Sequence, residues 1–226
     1  ASDGAATGDF SSAWRQREDI VEFNAVNMSA VTNAYQGWYL CNSLSDFKTT
    51  EIPNSTNFTS AWNGCSALTS FPAGAKLGTS ASSVNFSSAW QSSGLTSFPA
   101  LDTSRVTNMN LAWYDSNLAT FSLIDTSNVT QMNYAWGNTN LTSFPQIDPS
   151  SATSMFGAWV DNNLLTDFPA IFSNWNPSTI TTGVFGRAWE GCSALSAISV
   201  ENILTSIDAS GQHATSTGAS GGSALA

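Results

Sequence analysis

The feature that most constrains this fold is a tryptophan that recurs at nearly fixed intervals and usually follows an alanine. The recurring residues are Trp14, Trp38, Trp62, Trp90, Trp113, Trp136, Trp159 and Trp189. By subtraction, the successive steps are 24, 24, 28, 23, 23, 23 and 30 residues long. A period in this range is typical of a solenoid, in which each repeat forms one coil and buries its apolar face against its neighbours.

The composition limits the partners that the chain can bind. Of its 226 residues, 42% are hydrophobic and only 10% are charged, so Ser, Thr and Asn must build much of the surface. The 6 Lys and Arg residues against 16 Asp and Glu residues give a net charge of −10, which disfavours nucleic acid and anionic membrane surfaces. No apolar run reaches the roughly 18 residues that a bilayer-spanning helix needs. We therefore expect no nucleic-acid partner and no membrane insertion.

Alignment of the repeats on tryptophan separates buried from exposed positions. In the repeat that ends at Trp113, Leu95, Phe98 and Leu101 fall three residues apart, with small polar residues between them. This cadence is typical of the strand region of a leucine-rich repeat. Pro99 follows the phenylalanine, and because proline cannot donate to a strand ladder, the strand is expected to end there.

The second half of each repeat has a different spacing. Val106, Met109 and Trp113 follow at intervals that suit one or two turns of helix, with Thr103 or Ser104 as the N-cap. The sequence therefore predicts an α/β solenoid. It is a leucine-rich-repeat-like stack of about eight coils of 23–30 residues, with short parallel strands on one side and short helical turns on the other.

The domain boundaries follow from the extent of the repeat. We expect an N-terminal extension over residues 1–8 and the repeat region over residues 9–200. Residues 201–226 are expected to form a C-terminal cap and a flexible Gly/Ser-rich tail.

Two segments carry a resemblance to a known family. They are Leu141-Thr-Ser-Phe-Pro-Gln-Ile-Asp148 and Asp125-Thr-Ser-Asn-Val-Thr-Gln-Met-Asn-Tyr-Ala-Trp136. Both resemble the leucine-rich repeats of the BspA-like group of bacterial surface proteins, although Ala-Trp stands here in place of the usual Met-Phe. The trailing Gly-Cys-Ser persists at residues 64–66 and 191–193. The resemblance covers about residues 9–200. It implies adhesion to a host, a matrix or another cell, from a bacterial cell surface or a phage virion.

The recurring tryptophans have two interpretations. Exposed indoles would form a stacking platform for sugar rings, whereas buried indoles would fill the interior of each coil. Trp113 shares its face with Val106 and Met109, and apolar residues at such spacing are usually core. We therefore predict a buried structural ladder, whose members are Trp62, Trp90, Trp113, Trp136, Trp159 and Trp189.

Two insertions break the regular period and supply the candidate binding residues. The 28-residue step contains residues 73–84, and the 30-residue step contains residues 172–183. Insertions in a solenoid map to loops, often on the binding face, although drift tolerated in surface loops is the favoured explanation. These insertions are nevertheless the first choice for a contact surface. The candidate contact residues are Trp175, Asn174, Asn176 and Lys76.

Three aspartates, Asp102, Asp125 and Asp148, lie 23 residues apart and therefore stack in one column. Such a column could bind Ca²⁺, or each carboxylate could cap the following turn by accepting backbone N–H groups. The glycine-rich motif of calcium-binding solenoids is absent, which favours capping and predicts no metal.

The three cysteines, Cys41, Cys65 and Cys192, each lie three residues after a tryptophan. In the four central repeats this position holds Ser93, Ser116, Thr139 or Asn162, which favours a packed thiol over a disulfide between Cys41 and Cys65. The single histidine, His213, lies in a low-complexity segment that cannot hold a catalytic base rigidly.

We therefore predict no enzyme and no cofactor. Two functions remain open. The first is an extracellular recognition module that binds a host-cell receptor, a surface glycan or a matrix protein. The second is a structural subunit of a virion fibre, decoration or surface filament that assembles with its own copies or with a larger fibre. Either role places the protein on a bacterial cell surface or a phage virion.

Overall fold

The computed structural model describes residues 8–25, 28–170 and 184–209. These residues form a strand-rich, repeat-like fold of short parallel strand pairs with one helix. The strands are β1 (Gly8–Asp9), β2 (Glu22–Phe23), β3 (Val31–Asn33), β4 (Asp46–Phe47), β5 (Glu51–Ile52), β6 (Lys76–Leu77), β7 (Val84–Asn85), β8 (Ser97–Phe98), β9 (Val106–Asn108) and β10 (Thr120–Phe121). The helix is α1 (Ala197–Ala209).

One set of strands ends on the recurring phenylalanine. Strand β2 pairs in parallel with β4, and β8 pairs in parallel with β10, so that Phe98 lies beside Phe121 of the next repeat. In β8 the Ser97 side chain is exposed and the Phe98 side chain is buried, as period-two alternation requires. The strand ends directly before Pro99, which confirms the boundary predicted from the missing donor.

A second set of strands forms a polar column that runs through seven repeats. Strand β1 pairs with β3 and β7 pairs with β9, and single parallel bridges extend the ladder between and beyond them. The bridged residues are Asp9, Asn33, Asn57, Asn85, Asn108, Gln131 and Ser154. Asn108 Oδ1 then accepts the backbone N–H of Asn110 at 2.9 Å, and this side-chain turn ends the strand.

The predicted helical turns are wrong. Residues Val106–Asn108 are a strand, and the tryptophan that follows lies in a pair of tight turns. The residues two before and two after each tryptophan have left-handed backbones; Ser88 and Ser92, which flank Trp90, both have φ near 54°. Such φ values break an α-helix, and Thr103 and Ser104 consequently cap no helix.

The hydrogen bonds explain why turns replace helix. The Trp90 N–H donates to the carbonyl of Ala112 in the next repeat at 2.8 Å, whereas the Ser93 N–H donates back to the Trp90 carbonyl at 3.2 Å. Along this segment, backbone N–H groups thus donate in alternation to carbonyls of the neighbouring repeat and to carbonyls of their own turn. An α-helix would use all of these donors within its own segment and leave none for the next repeat. We call each such segment, from two residues before to two residues after the tryptophan, a tryptophan turn.

The tryptophans form a buried column inside the repeats. The seven indoles of this column, Trp38, Trp62, Trp90, Trp113, Trp136, Trp159 and Trp189, are each 0–1% exposed. Consecutive ring centroids are 5.2–5.7 Å apart, with interplanar angles of 3–10°. This burial leaves no indole face in that column open to a sugar, so the ladder is part of the core and is not a ligand platform.

A phenylalanine column stands beside the indoles and completes the core. Phe98 and Phe121 are 5.7 Å apart and nearly parallel, at 12°. Trp113 meets both of them edge to face, with centroids 4.9 Å away and interplanar angles of 71° and 76°. Edge-to-face contacts of this kind add about 0.5–1.5 kcal/mol per pair beyond the buried area. Each repeat is therefore held mainly by its neighbours.

Helix α1 closes the C-terminal end of the stack. Ser199 Oγ accepts the Phe168 N–H at 2.8 Å and donates to the Thr166 carbonyl at 2.9 Å, and Asn202 Nδ2 donates to the Phe168 carbonyl at 2.9 Å. These side chains satisfy backbone groups that another repeat would otherwise pair. The Ser196 hydroxyl accepts the Ser199 N–H as the N-cap, so the helix begins at Ala197, before the boundary expected at residue 201.

Candidate recognition surface

Of the two insertions predicted as binding loops, the structure describes the first, residues 73–84, but not the candidate contact residues of the second. Trp175, Asn174 and Asn176 lie outside the described residues. Lys76 lies on β6, which pairs with β5, so part of the first insertion extends the strand pairing of the preceding repeat. The Lys76 ammonium is 2.8 Å from Glu51 Oε1, and both side chains are more than half exposed, at 59% and 58%. An exposed ion pair of this kind contributes little to stability. The Glu51 carboxylate also offsets the positive charge that Lys76 would present to a ligand.

The aspartate column caps turns. Asp102 Oδ1 accepts the backbone N–H of Ser104 at 3.1 Å and its hydroxyl at 2.7 Å, and these two bonds lower the pKa of Asp102. Asp125 and Asp148 make the same backbone contact two residues onward, each at 2.9 Å. Across the described ranges, no group of three or more His, Cys, Asp or Glu side chains is placed to hold a metal ion.

The cysteines are free, buried thiols. Those of Cys41, Cys65 and Cys192 donate to the carbonyls of Trp14, Trp38 and Trp159 in the preceding repeat, at 2.9, 3.1 and 3.0 Å. Burial raises the pKa of all three thiols, that of Cys192 to about 12. Since the thiolate is the nucleophile, these protonated thiols are structural and inert.

This burial predicts a loss of stability at alkaline pH that Cys192→Ser relieves. Folding raises the pKa of Cys192 from 9.0 to about 12. The thiol therefore contributes its full stabilisation at a pH below its pKa in the unfolded state. This stabilisation is lost as the pH rises toward and through its pKa in the folded state. At pH 10 the contribution of this thiol to the free energy of unfolding is lower by about 1.4 kcal/mol. Urea unfolding in reducing buffer at about pH 8 and about pH 10 measures the difference.

Serine is a matched replacement, because Ser116 occupies the same position after Trp113 and donates to its carbonyl at 2.7 Å. Cys192→Ser is therefore expected to fold normally near neutral pH. An identical pH dependence in wild type and variant would show that the thiol does not titrate between the two states.

A cluster of half-buried aromatic side chains spans three consecutive repeats, with two members inside tryptophan turns and the third directly before a turn. It consists of Tyr114, Tyr134 and Phe156, which we call the tyrosine patch. The rings of Tyr114 and Tyr134 are 6.0 Å apart at 86°, and those of Tyr134 and Phe156 are 5.5 Å apart at 66°. Each ring thus touches a ring of the adjacent repeat and forms one continuous aromatic surface.

Glycines lie directly beneath two of these rings. A Cβ at Gly137 would stand 3.1 Å from Cδ2 of Tyr114, and a Cβ at Gly157 would stand 2.6 Å from Cε1 of Tyr134. Gly157 also has a positive φ of 60°, which favours glycine on its own account. The rings rest against the backbone of the next repeat, which fixes the patch to the rigid part of the molecule.

Polar groups border the tyrosine patch on both sides. Asp115, Asn138 and Asp161 form an exposed column two residues after successive tryptophans, and Asn138 Nδ2 donates to Asp115 Oδ1 at 2.7 Å. On the other side, Asn110 Oδ1 accepts the N–H of Asn133 at 2.8 Å, and Asn133 Oδ1 accepts that of the next repeat at 2.9 Å. These bonds orient the amides along the edge of the patch.

The sequence did not reveal the tyrosine patch, because its members occupy three different places in the repeat. Tyr114 follows its tryptophan by one residue, Tyr134 precedes Trp136 by two, and Phe156 precedes Trp159 by three. Alignment on recurring apolar positions discards such residues. Only the register between neighbouring turns brings the three rings together.

No family model, curated protein or solved structure matches this chain.

Within the described residues the only helix is α1, and its 13 residues are too few to cross a bilayer.

Proposed function

We propose that this chain is a non-enzymatic recognition protein of an extracellular surface, on a bacterial cell or a phage virion. In this proposal the repeats form a leucine-rich-repeat-like solenoid, and its tryptophan-turn face binds a host-cell receptor, surface glycan or matrix protein. The parallel pairing of successive repeats and the continuous indole column support the solenoid arrangement. The repeat pattern that resembles BspA-like surface proteins supports the adhesive role.

The observation that carries the proposal is a contrast between two neighbouring positions of the same turn. The tryptophan recurs in every repeat and is fully buried from Trp38 onward, whereas the residue directly after it changes from repeat to repeat. That residue is Arg15, Tyr39, Asn63, Gln91, Tyr114, Gly137, Val160 and Glu190 in turn. Gly137 and Val160 are buried, whereas the other six are half-buried or exposed. A rigid backbone that presents different side chains in a regular array is how repeat proteins build extended binding surfaces.

The chemistry of the described residues favours binding over catalysis. The thiols are protonated, and three aspartates are engaged in turn caps. The ion pairs, such as that between Arg187 and Glu190, lie at exposed positions. A polar surface with few charges suits hydrogen bonding to neutral ligands.

Attachment of the full chain to surfaces tests this function. The protein is coupled to fluorescent beads and offered to intact bacterial cells, to matrix proteins and to immobilised glycans. We expect saturable attachment to at least one surface, which free protein displaces. The control beads carry the same chain after it has been unfolded in urea. Their remaining surface is covered with a blocking protein. Attachment no stronger than this control on every surface would overturn the recognition function.

A second function, assembly into a fibre, has one specific observation in its favour. Trp14, at the N-terminal end of the column, is only partly buried, whereas Trp38 is fully buried by its neighbours. Within the described residues, no repeat covers the outer side of Trp14, while α1 covers the opposite end. Analytical ultracentrifugation distinguishes the two functions. Assembly of a fibre subunit raises the sedimentation coefficient as the protein concentration rises, whereas recognition of a ligand requires no self-association.

A further inference from the structure

We infer that the tyrosine patch is a binding site for a neutral pyranose glycan. This inference rests on the proposed recognition function and names its ligand class and its place. The rings of Tyr114, Tyr134 and Phe156 offer an aromatic surface across three repeats, and each of these side chains is only partly buried. The C–H-rich face of a sugar ring packs well on such a surface, and the phenol hydroxyls add a polar handle.

The spacing of the rings suits an extended oligosaccharide. Their centroids lie 6.0 and 5.5 Å apart along the direction in which the repeats stack. Neighbouring strands advance by about 4.8 Å per repeat, which is close to the length of one sugar unit. Consecutive sugars can therefore contact consecutive repeats. The rings rest on Gly137 and Gly157, so the surface is already formed before a ligand binds and loses little entropy on binding.

The borders of the patch provide both kinds of hydrogen-bonding group that sugar hydroxyls need. The Oδ1 atoms of Asn110 and Asn133 are held by backbone N–H groups of the following repeats. Their Nδ2 groups donate to no atom of the described residues and are available as donors. On the opposite border, the exposed carboxylates of Asp115 and Asp161 are acceptors. A site built to pair hydroxyls discriminates strongly against ligands that lack them.

The charges beside the patch select a neutral ligand. Asp115, Asp161 and Glu190 are acidic, and Arg187 is the basic residue near Tyr134 and Asp161. Arg187 is already engaged with Glu190 in a two-point ion pair, at 2.7 and 2.9 Å. Carboxylated, sulfated or phosphorylated sugars would meet net negative charge without a free cation among these groups, which penalises their approach.

The affinity of one patch is expected to be low. The surface is shallow and covers only a few sugars, so a dissociation constant of about 1 mM for a free oligosaccharide is reasonable. Attachment to a surface would then depend on many copies that bind together. A multivalent format is consequently needed to detect binding.

The test uses the full chain on beads against an array of neutral, amino-substituted and acidic oligosaccharides, followed by titration of the best glycan in solution by NMR. The variant is Tyr114→Gln with Tyr134→Ser. Both replacements occur in other repeats of this chain: Gln91 follows Trp90, and Ser88 holds the same left-handed position as Tyr134, with φ values of 54° and 55°. We therefore expect the variant to fold.

The matched control is Tyr39→Gln, which makes the same change one residue after Trp38 and outside the patch. We expect the wild type and the control to bind a neutral glycan equally. The double variant is expected to bind it at least tenfold more weakly at a temperature at which circular dichroism shows it folded. Its melting temperature is expected to fall by only a few degrees, because it loses two edge-to-face ring contacts.

Each other outcome overturns the inference in a recognisable way. Equal binding by the double variant would place the glycan site elsewhere, and preference for acidic sugars would refute the ligand class. If the wild type attaches to cells or matrix proteins but to no glycan, the patch inference fails while the recognition function stands. If it attaches to nothing, both fail.

Discussion

Trp113→Ala is expected to destabilise the protein by about 3–5 kcal/mol, the usual cost of deleting a large aromatic side chain from a core. Trp113 is fully buried, lies parallel to Trp90 and Trp136 at 5.5 and 5.7 Å, and meets Phe98 and Phe121 edge to face at 4.9 Å. Its removal breaks the aromatic contacts of two repeat interfaces at once. Urea unfolding followed by near-ultraviolet circular dichroism measures the loss.

Trp113→Phe is the control for this prediction. The indole N–H of Trp113 is buried and has no hydrogen-bond acceptor among the described residues. Phenylalanine therefore removes this donor together with part of the ring. Loss of the unpaired donor offsets part of the packing loss, and the smaller change is expected to cost about 1–2 kcal/mol. A loss under about 1 kcal/mol for Trp113→Ala would contradict the central place of the column, because core truncations of this size cost more.

Gly94→Ala is expected to cost about 2–3 kcal/mol, since overpacking against backbone cannot relax cheaply. A Cβ at Gly94 would collide with the carbonyl oxygen of Ser66 and would lie 3.0 Å from its carbonyl carbon. Both atoms belong to the backbone of the preceding repeat, so relief requires the two repeats to separate. Thermal unfolding and urea titration are the measurements.

Gly37→Ala is the matched substitution at a site with more room. There the nearest atoms, the Ala34 carbonyl oxygen and Cδ1 of Phe10, lie 3.3 Å from the added Cβ. The flexible Phe10 ring is able to move, so we expect a loss of less than about 1 kcal/mol. If both alanines cost the same, the close approach of Gly94 to the neighbouring repeat does not control stability.

The repeat pattern predicted much of the core. The recurring Trp113 and Phe98 positions are buried, and β8 ends at the phenylalanine before Pro99. These features depend on local chemistry, because burial follows hydrophobicity and proline removes a donor wherever it stands. The capping role of Asp102 is equally local, since an aspartate reaches a backbone N–H two residues away.

The helical turns failed as a prediction because the spacing of Val106, Met109 and Trp113 suits a helix and a turning strand equally well. The deciding factor is the competition between hydrogen bonds within a segment and hydrogen bonds to the next repeat. The Trp113 N–H donates to the Ala135 carbonyl at 2.9 Å, a partner 22 positions away in sequence. The serines and glycines that flank many tryptophans, such as Ser88 and Ser92, carried the available signal, because they tolerate or favour turns.

The candidate site was less predictable than the fold. Sequence reasoning placed contacts in the insertions, at Trp175 and Lys76. The structure pairs Lys76 with Glu51, and Trp175 lies outside the described residues. The tyrosine patch was missed because its rings have no common sequence position. Their proximity results from the step between repeats.

The sequence by itself determined the period, the residues that face the core and the ends of the phenylalanine strands, because each depends on a side chain's own hydrophobicity or hydrogen-bonding capacity. The tertiary structure alone decided the left-handed tryptophan turns, the close approach at Gly94 and the meeting of Tyr114 with Tyr134. These features depend on how one repeat is offset from the next. That offset is set by backbone hydrogen bonds between residues more than 20 positions apart, which no local pattern specifies.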